Sequence, residues 1–168
     1  RGKMKTDTLQ NKANLTVLRA KHMGMCFGVR DAITLAKRVA KSRPLTVLGE
    51  LVHNATVLDD LRGEGVQFES QANDVKTETV MITAHGASDR AKGRARESGL
   101  KLRDATCPLV HHAHKQVQQL VGDGYHPVVI GRRGHVEVRG LTEDLLECDV
   151  VLSEDDIDAL SLRRRYGV

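Results

Sequence analysis

The sequence predicts an α/β fold, with repeated β-α units forming small, mostly parallel sheets flanked by helices. Two observations carry that prediction. Short apolar runs alternate with stretches of helical period along most of the chain, the pattern of strands joined by crossover helices. In addition, Cys26, His53, His85, Cys107 and His135 recur at spacings of 27, 32, 22 and 28 residues, close to one β-α unit each.

The elements follow in order. Leu15-Thr16-Val17-Leu18 reads as a short first strand. Val29, Ala32, Ile33, Ala36, Val39 and Ala40 share one face of a helix. Leu45-Thr46-Val47-Leu48 is a strand, and Val57, Leu58 and Leu61 mark a helix that stops near Gly63 and Gly65. Val80 to Ala84 is a buried strand. A helix capped near Ser88-Asp89 runs to Gly99, and Leu100 and Leu102 open another strand. Pro108 suits the first turn of the next helix, whose stripe is Leu109, Val110, Ala113, Val117, Leu120 and Val121. Pro127 to Ile130 is a strand, followed by a helix carrying Val138, Leu141 and Leu145. Val150-Val151-Leu152 is the last strand, and Ser153 with Asp156 resembles a capping box for a final helix.

Composition narrows the function classes. With 40% hydrophobic and 29% charged residues, the chain is neither disordered nor membrane-like, and no apolar run approaches a membrane span of about 18 residues. No apolar stretch follows the basic N-terminus, so a secretory signal is not expected and the protein reads as cytoplasmic. The net charge of +4 favours acidic partners only weakly. Aromatic residues are 2% (Phe27, Phe68, Tyr125, Tyr166), too few for a stacking platform, so neither nucleic acid nor membrane is an expected partner. Cys26, Cys107 and Cys148 are odd in number and far apart. They read as reduced thiols available for metal, cluster or catalytic work, or simply for burial.

Position turns these residues into a candidate site. Parallel α/β sheets place ligands outside the carboxyl ends of their strands, and five chemically capable side chains fall there. Cys26 lies in Gly24-Met25-Cys26-Phe27-Gly28 and Cys107 in Asp104-Ala105-Thr106-Cys107-Pro108, each just before a helix, where a thiol's pKa is lowered. His53 and His85 also precede helix starts, which bind anions through free amides. His135 has Glu137 two residues on, and such a pair can hold an anion and move a proton. Singly, each of these could be a structural residue. Cys148 precedes a strand and reads as an ordinary buried thiol. His111, His112 and His114 read as a solvated helix face, and Arg132-Arg133 as surface charge within possible reach of a diphosphate. No P-loop, GxGxxG, CxxC or HExxH pattern occurs.

Taken in order, the segments Met25-Cys26-Phe27-Gly28-Val29, Glu50-Leu51-Val52-His53-Asn54, Ala84-His85-Gly86, Asp104-Ala105-Thr106-Cys107-Pro108-Leu109-Val110 and Gly134-His135-Val136-Glu137-Val138 resemble the 4-hydroxy-3-methylbut-2-enyl diphosphate reductases. These are the last enzymes of the methylerythritol phosphate route to isoprenoids. The resemblance implies two of the family's three α/β lobes around a [4Fe-4S] cluster. It implies that Cys26 and Cys107 ligate the cluster, that His53, His85 and His135 bind the diphosphate substrate, and that Glu137 delivers a proton. It also implies an electron donor such as ferredoxin or flavodoxin. On this reading residues 1–14 are a disordered extension, 15–107 a first lobe with its leading strand, and 108–168 a second, truncated lobe. The family's third cysteine lies beyond this chain, Cys148 does not match it, and the isolated chain is expected to be incomplete. Two further readings stay open: a non-catalytic anion- or partner-binding module on the same fold, and a hydrolase using His and Cys around zinc.

Overall fold

The computed structural model describes residues 17–21 and 23–168. Among them, helix α1 (Phe27–Ala40) leads to β1 (Leu45–Leu48), α2 (Ala55–Gly63) and β2 (Val66–Glu69). A 3-10 turn (Ala72–Asp74), β3 (Thr79–Ile82), α3 (Asp89–Glu97) and β4 (Lys101–Asp104) complete a first unit. Helix α4 (Pro108–Gly122), β5 (His126–Ile130), α5 (Val136–Thr142), β6 (Asp149–Val151), α6 (Glu154–Asp158) and β7 (Tyr166–Gly167) form a second. The first sheet has order β2-β1-β3-β4 and the second β6-β5-β7, and every pairing is parallel.

Strand composition follows position in the sheet. Central β3, Thr-Val-Met-Ile, is buried throughout, and β1 nearly so, because a parallel sheet is covered on both faces. The polar side chains that enter this core are satisfied: Thr46 Oγ1 meets Thr77 Oγ1 at 2.7 Å, and Thr77 Oγ1 donates to the Thr79 carbonyl at 2.8 Å. Edge strand β4, Lys-Leu-Arg-Asp, carries charges that keep the edge from pairing further. Ala32, Ala36 and Val39 of α1, Leu58 and Leu61 of α2, and Leu45, Val47 and Met81 of the sheet make one core, which extends into Leu51, Val52 and Ala84 just past the strands.

Helix ends match their sequence signals. Asn54 accepts from the Val57 amide, Ser88 from the Ala91 amide, and Ser153 and Asp156 form a full capping box. The amides of Leu152 and Ser153 hold the Asp156 carboxyl below its ordinary pKa. Among the described residues no helix is long and apolar enough to cross a membrane.

The structure departs from the sequence reading in several places. Of the expected strand Leu15–Leu18, Leu15 and Thr16 lie outside the described residues. Val17 and Leu18 are exposed and belong to no strand, since no neighbour offers them a ladder. The proposed extension 1–14 also lies outside the described residues. Helix α5 ends at Thr142, before Leu145. Strands β2 and β7 were not anticipated. Val-Gln-Phe-Glu alternates apolar and polar residues over only four positions and Tyr-Gly spans two, and parallel pairing with β1 and β5 makes them strands. His114 does not lie on a solvated face: it is half-buried between α4 and α5, with its Nε2 shielded and without a hydrogen-bond partner. His111 and His112, on the same helix, are exposed.

Two outcomes test this packing. Leu61 is fully buried, so Leu61→Ala should lower unfolding stability by about 3 kcal/mol. Leu162→Ala, at an exposed position, should change it by no more than ~0.5 kcal/mol in urea denaturation. Burial, then the Lys92 charge, pulls the His114 pKa below its ordinary 6.5, so the unfolded chain binds its proton more readily. The stabilisation from neutral His114 is therefore present above pH ~6.5 and is lost as pH falls through the lowered native value. Denaturation midpoints between pH 7.5 and 5 should fall more steeply in the wild type than in His114→Gln; equal slopes would remove His114 as the cause.

Candidate functional site

Parallel register decides where the functional loops emerge. Leu48, Ile82 and Asp104 are paired in register at the carboxyl ends of β1, β3 and β4. His53 lies five residues past Leu48, His85 three past Ile82, and Cys107 three past Asp104. In the second sheet His135 lies five past Ile130. The loops therefore leave one edge, and three imidazoles meet there. The His53 and His85 ring centroids are 4.9 Å apart, and His135 stands 6.4 Å from His53 and 6.3 Å from His85.

Hydrogen bonds orient the rings. His85 Nδ1 lies 2.9 Å from Glu137 Oε1. A carboxylate only accepts, so Nδ1 carries the proton. The opposite nitrogen, Nε2, is buried with no partner in the protein. Such an atom is costly unless something else binds it, which makes it the strongest sign of a ligand in this cleft. His135 caps α5, its Nδ1 accepting from the Glu137 amide at 3.3 Å, which leaves Nε2 as the donor. His53 Nδ1 lies 3.2 Å from Glu50 Oε2, with both side chains largely exposed. His135 thus presents an Nε2–H, whereas His53 and His85, with the proton on Nδ1, present an Nε2 that donates only in the imidazolium form.

The thiols stand beside this group. Cys26 is the N-cap of α1 and Cys107 the N-cap of α4, and neither side chain caps its helix. Both thiols therefore sit at helix N-termini without being consumed as caps. Gly28 brings the two segments together: a Cβ there would lie 2.6 Å from Cys107 Sγ, so no side chain fits. The Cys107 amide donates to the Ala84 carbonyl at 3.0 Å, tying its loop to that of His85. Gly86 takes φ +76°, and a Cβ there would press on Thr106 and Val110 at 3.0 and 3.1 Å.

Asp104 braces the Cys107 turn. It accepts from the Thr106 amide at 2.9 Å, from the Thr106 hydroxyl, and from Lys92 Nζ at 3.0 Å. Burial raises its pKa, but the Thr106 and Lys92 bonds outweigh that and hold the carboxyl below its ordinary value. Lys92 is buried, and this pairing satisfies its ammonium there.

Cys148 lies apart, just ahead of β6 at the sheet's other edge. It is half-buried, and burial, then Asp149, raises its thiol pKa. Arg132 and Arg133 are exposed. Among the described residues no group of three or more His, Cys, Asp or Glu is arranged to hold a metal ion. The thiolate pair fits iron–sulfur ligation as a two-ligand set, with Gly28 leaving room around one sulfur. The bracing roles of Asp104 and Lys92 were not anticipated. An Asp two residues before a Thr, in a turn, is the local signal that could have pointed to the first.

Known proteins resemble this chain in sequence and fold. A 4-hydroxy-3-methylbut-2-enyl diphosphate reductase of Brevibacillus brevis is 36% identical over 136 residues, covering 75% of this chain and 44% of the relative. The enzyme of the same name from Geobacillus thermodenitrificans is 36% identical over 160 residues, covering 89% and 51%. The solved E-1-hydroxy-2-methyl-but-2-enyl-4-diphosphate reductase of Plasmodium falciparum superposes with a TM-score of 0.80 at 33% identity, covering 84% of this chain and 46% of that one. The chain thus spans about half the length of the curated relatives it matches. The sequence profile of the LytB protein family matches residues 17–168, nearly the whole chain, and the chain belongs to that family.

Proposed function

We propose that this chain carries half of the active site of a reductase that converts 4-hydroxy-3-methylbut-2-enyl diphosphate to isopentenyl and dimethylallyl diphosphates, in the isoprenoid pathway and in the cytoplasm. The observation that supports it best is the convergence of His53, His85 and His135 with Glu137, including a buried, unpartnered His85 Nε2. Three imidazoles that can donate N–H bonds suit a diphosphate, whose oxygens accept many bonds and repel apolar surroundings.

In this reading Cys26 and Cys107 hold a [4Fe-4S] cluster from one side, the remaining ligation coming from outside these 168 residues. When bound, such a cluster supplies electrons and a Lewis-acidic iron for the substrate hydroxyl. The balanced reaction adds two electrons and two protons, breaks one C–O bond and releases water. A small electron-transfer protein such as ferredoxin or flavodoxin would supply the electrons. His135 and His53 bind the diphosphate from the α5 and α2 sides and fix its distance from the thiols. As an imidazolium, His85 donates its Nε2–H to the same group and holds Glu137 through Nδ1. Glu137 delivers a proton toward the departing oxygen and can be reprotonated from His85 Nδ1, 2.9 Å away.

The roles separate under mutation. Inorganic diphosphate should bind the chain, and His135→Ala should weaken it by about tenfold, near 1.4 kcal/mol by calorimetry. Glu137→Gln should change that affinity little, yet sharply reduce turnover in a complete enzyme carrying this sequence. Diphosphate affinity indifferent to His135 would overturn the assignment. After anaerobic reconstitution with iron and sulfide, the isolated chain should bind substoichiometric iron and show no measurable turnover with a chemical reductant. Cys26→Ser or Cys107→Ser should abolish the iron–sulfur absorbance. Stoichiometric zinc in place of iron, or colourless protein that still binds diphosphate, would favour a hydrolase or a plain anion-binding module instead.

A further inference from the structure

Among the described residues two sets of polar side-chain bonds join the two units. One is the His85–Glu137 contact. The other lies at the far end of the seven-residue helix α5, where Glu143, its C-cap residue, and Asp144 reach the start of α3. Ser88 Oγ donates to Glu143 Oε2 at 2.7 Å, and Arg94 Nη2 donates to Glu143 Oε1 at 3.0 Å. The Asp89 amide donates to Asp144 Oδ2 at 2.6 Å and the Arg90 amide to Asp144 Oδ1 at 3.0 Å. Helix α3 thus has its third amide satisfied by its own Ser88 and its first two by the other unit. A carboxylate across the first amides of a helix also meets the favourable end of its dipole.

We infer that Glu143 and Asp144 form a clasp that positions Glu137 against His85. Glu137 and Glu143 stand at opposite ends of α5, about 9 Å apart at 1.5 Å per residue. Ser88 follows His85 by three residues in the loop that enters α3. The clasp and the His85–Glu137 bond are therefore two attachments between the same pair of short, stiff segments, and two attachments fix an angle that one leaves free. Between them Gly140 lies beside Ala87: a Cβ there would sit in ordinary contact, 3.8 Å from Ala87 Cα and 3.6 Å from His114 Nε2. A cavity of about 490 Å³, lined by Gly49, Ser70, Asn73, Ser88, Arg94 and Arg139 among others, lies between the units beside the clasp. Around it the bonds of Glu143 and Asp144 to Ser88, Arg94 and the α3 amides fix the alignment. The inference rests on the functional reading only in taking Glu137 and His85 to act as a pair.

A cycle of variants of the full 168-residue chain tests it. In the wild type, His85→Asn should move the Glu137 side-chain 13C resonance, because the two groups are bonded. In Glu143→Ala/Asp144→Ala, with the amide spectra of both sheets otherwise intact, the same substitution should move it by less than a third as much. Inorganic diphosphate should bind the clasp variant five- to tenfold more weakly. Glu143→Gln, which keeps an acceptor for Ser88, should restore most of both signals when Asp144 is retained. Undiminished coupling in the clasp variant would overturn the inference. Failure of the wild-type chain to bind diphosphate would count against the anion site alone, because the resonance readout needs no ligand. Should the double variant not fold, Asp144→Asn and Arg94→Gln weaken the clasp in steps: a graded loss of coupling supports it, and unchanged coupling in both refutes it.

Discussion

Parallel pairing in register is the constraint on which this structure depends. In the four-stranded sheet the parallel strands begin and end in register, so whatever follows them appears on one edge at one height. Leu48 pairs with Ile82, and Ile82 with Asp104. The residues that follow at offsets of five and three, His53, His85 and Cys107, are therefore neighbours despite being tens of residues apart in sequence. The second sheet repeats the longer offset from Ile130 to His135. Helix starts supply the second half of the logic. Cys107 and His135 are N-caps, His53 precedes one and His85 lies three residues before one, so this edge gathers the positive ends of helix dipoles.

That regularity is why so much was legible in the residues. The apolar runs of β1 and β3 are buried on both faces and could hardly be anything but central strands. The caps at Ser88 and Ser153 and the proline at the start of α4 are local chemistry and read locally. What escaped depends on partners distant in sequence. Val66–Glu69 becomes a strand only because β1 offers it a ladder, and Val17-Leu18, with similar propensity, is no strand because nothing does. His114 looks like its exposed neighbours His111 and His112, and it is shielded only because α5 comes to rest beside it. Nothing in Thr142-Glu143-Asp144-Leu145 says that its two carboxylates close on another helix 50-odd residues upstream.

The site combines rigid support with polar atoms left unmatched. Asp104 takes three bonds and fixes the turn carrying Cys107, while buried Lys92 supplies the countercharge. Gly28 and Gly86 let backbone approach where a side chain would collide. Against this stiffness His85 keeps a buried nitrogen without a partner in the protein. Folding tolerates such a defect when a ligand later removes it, and the location of the defect then reports where the ligand goes.

The bonds between the two units also bear on the order in which the molecule assembles. Within each sheet, paired residues lie 21 to 40 positions apart, so their pairing closes shorter loops. The links across the boundary join residues 49 to 55 positions apart, and each requires both partners to be in place already. Closing longer loops is slower, and polar contacts at a solvent-filled boundary reward it late. Either sheet can therefore form while the histidines of the two units are still strangers, and the anion-binding edge comes into existence at docking, as the final cooperative event and the first to be undone by partial opening.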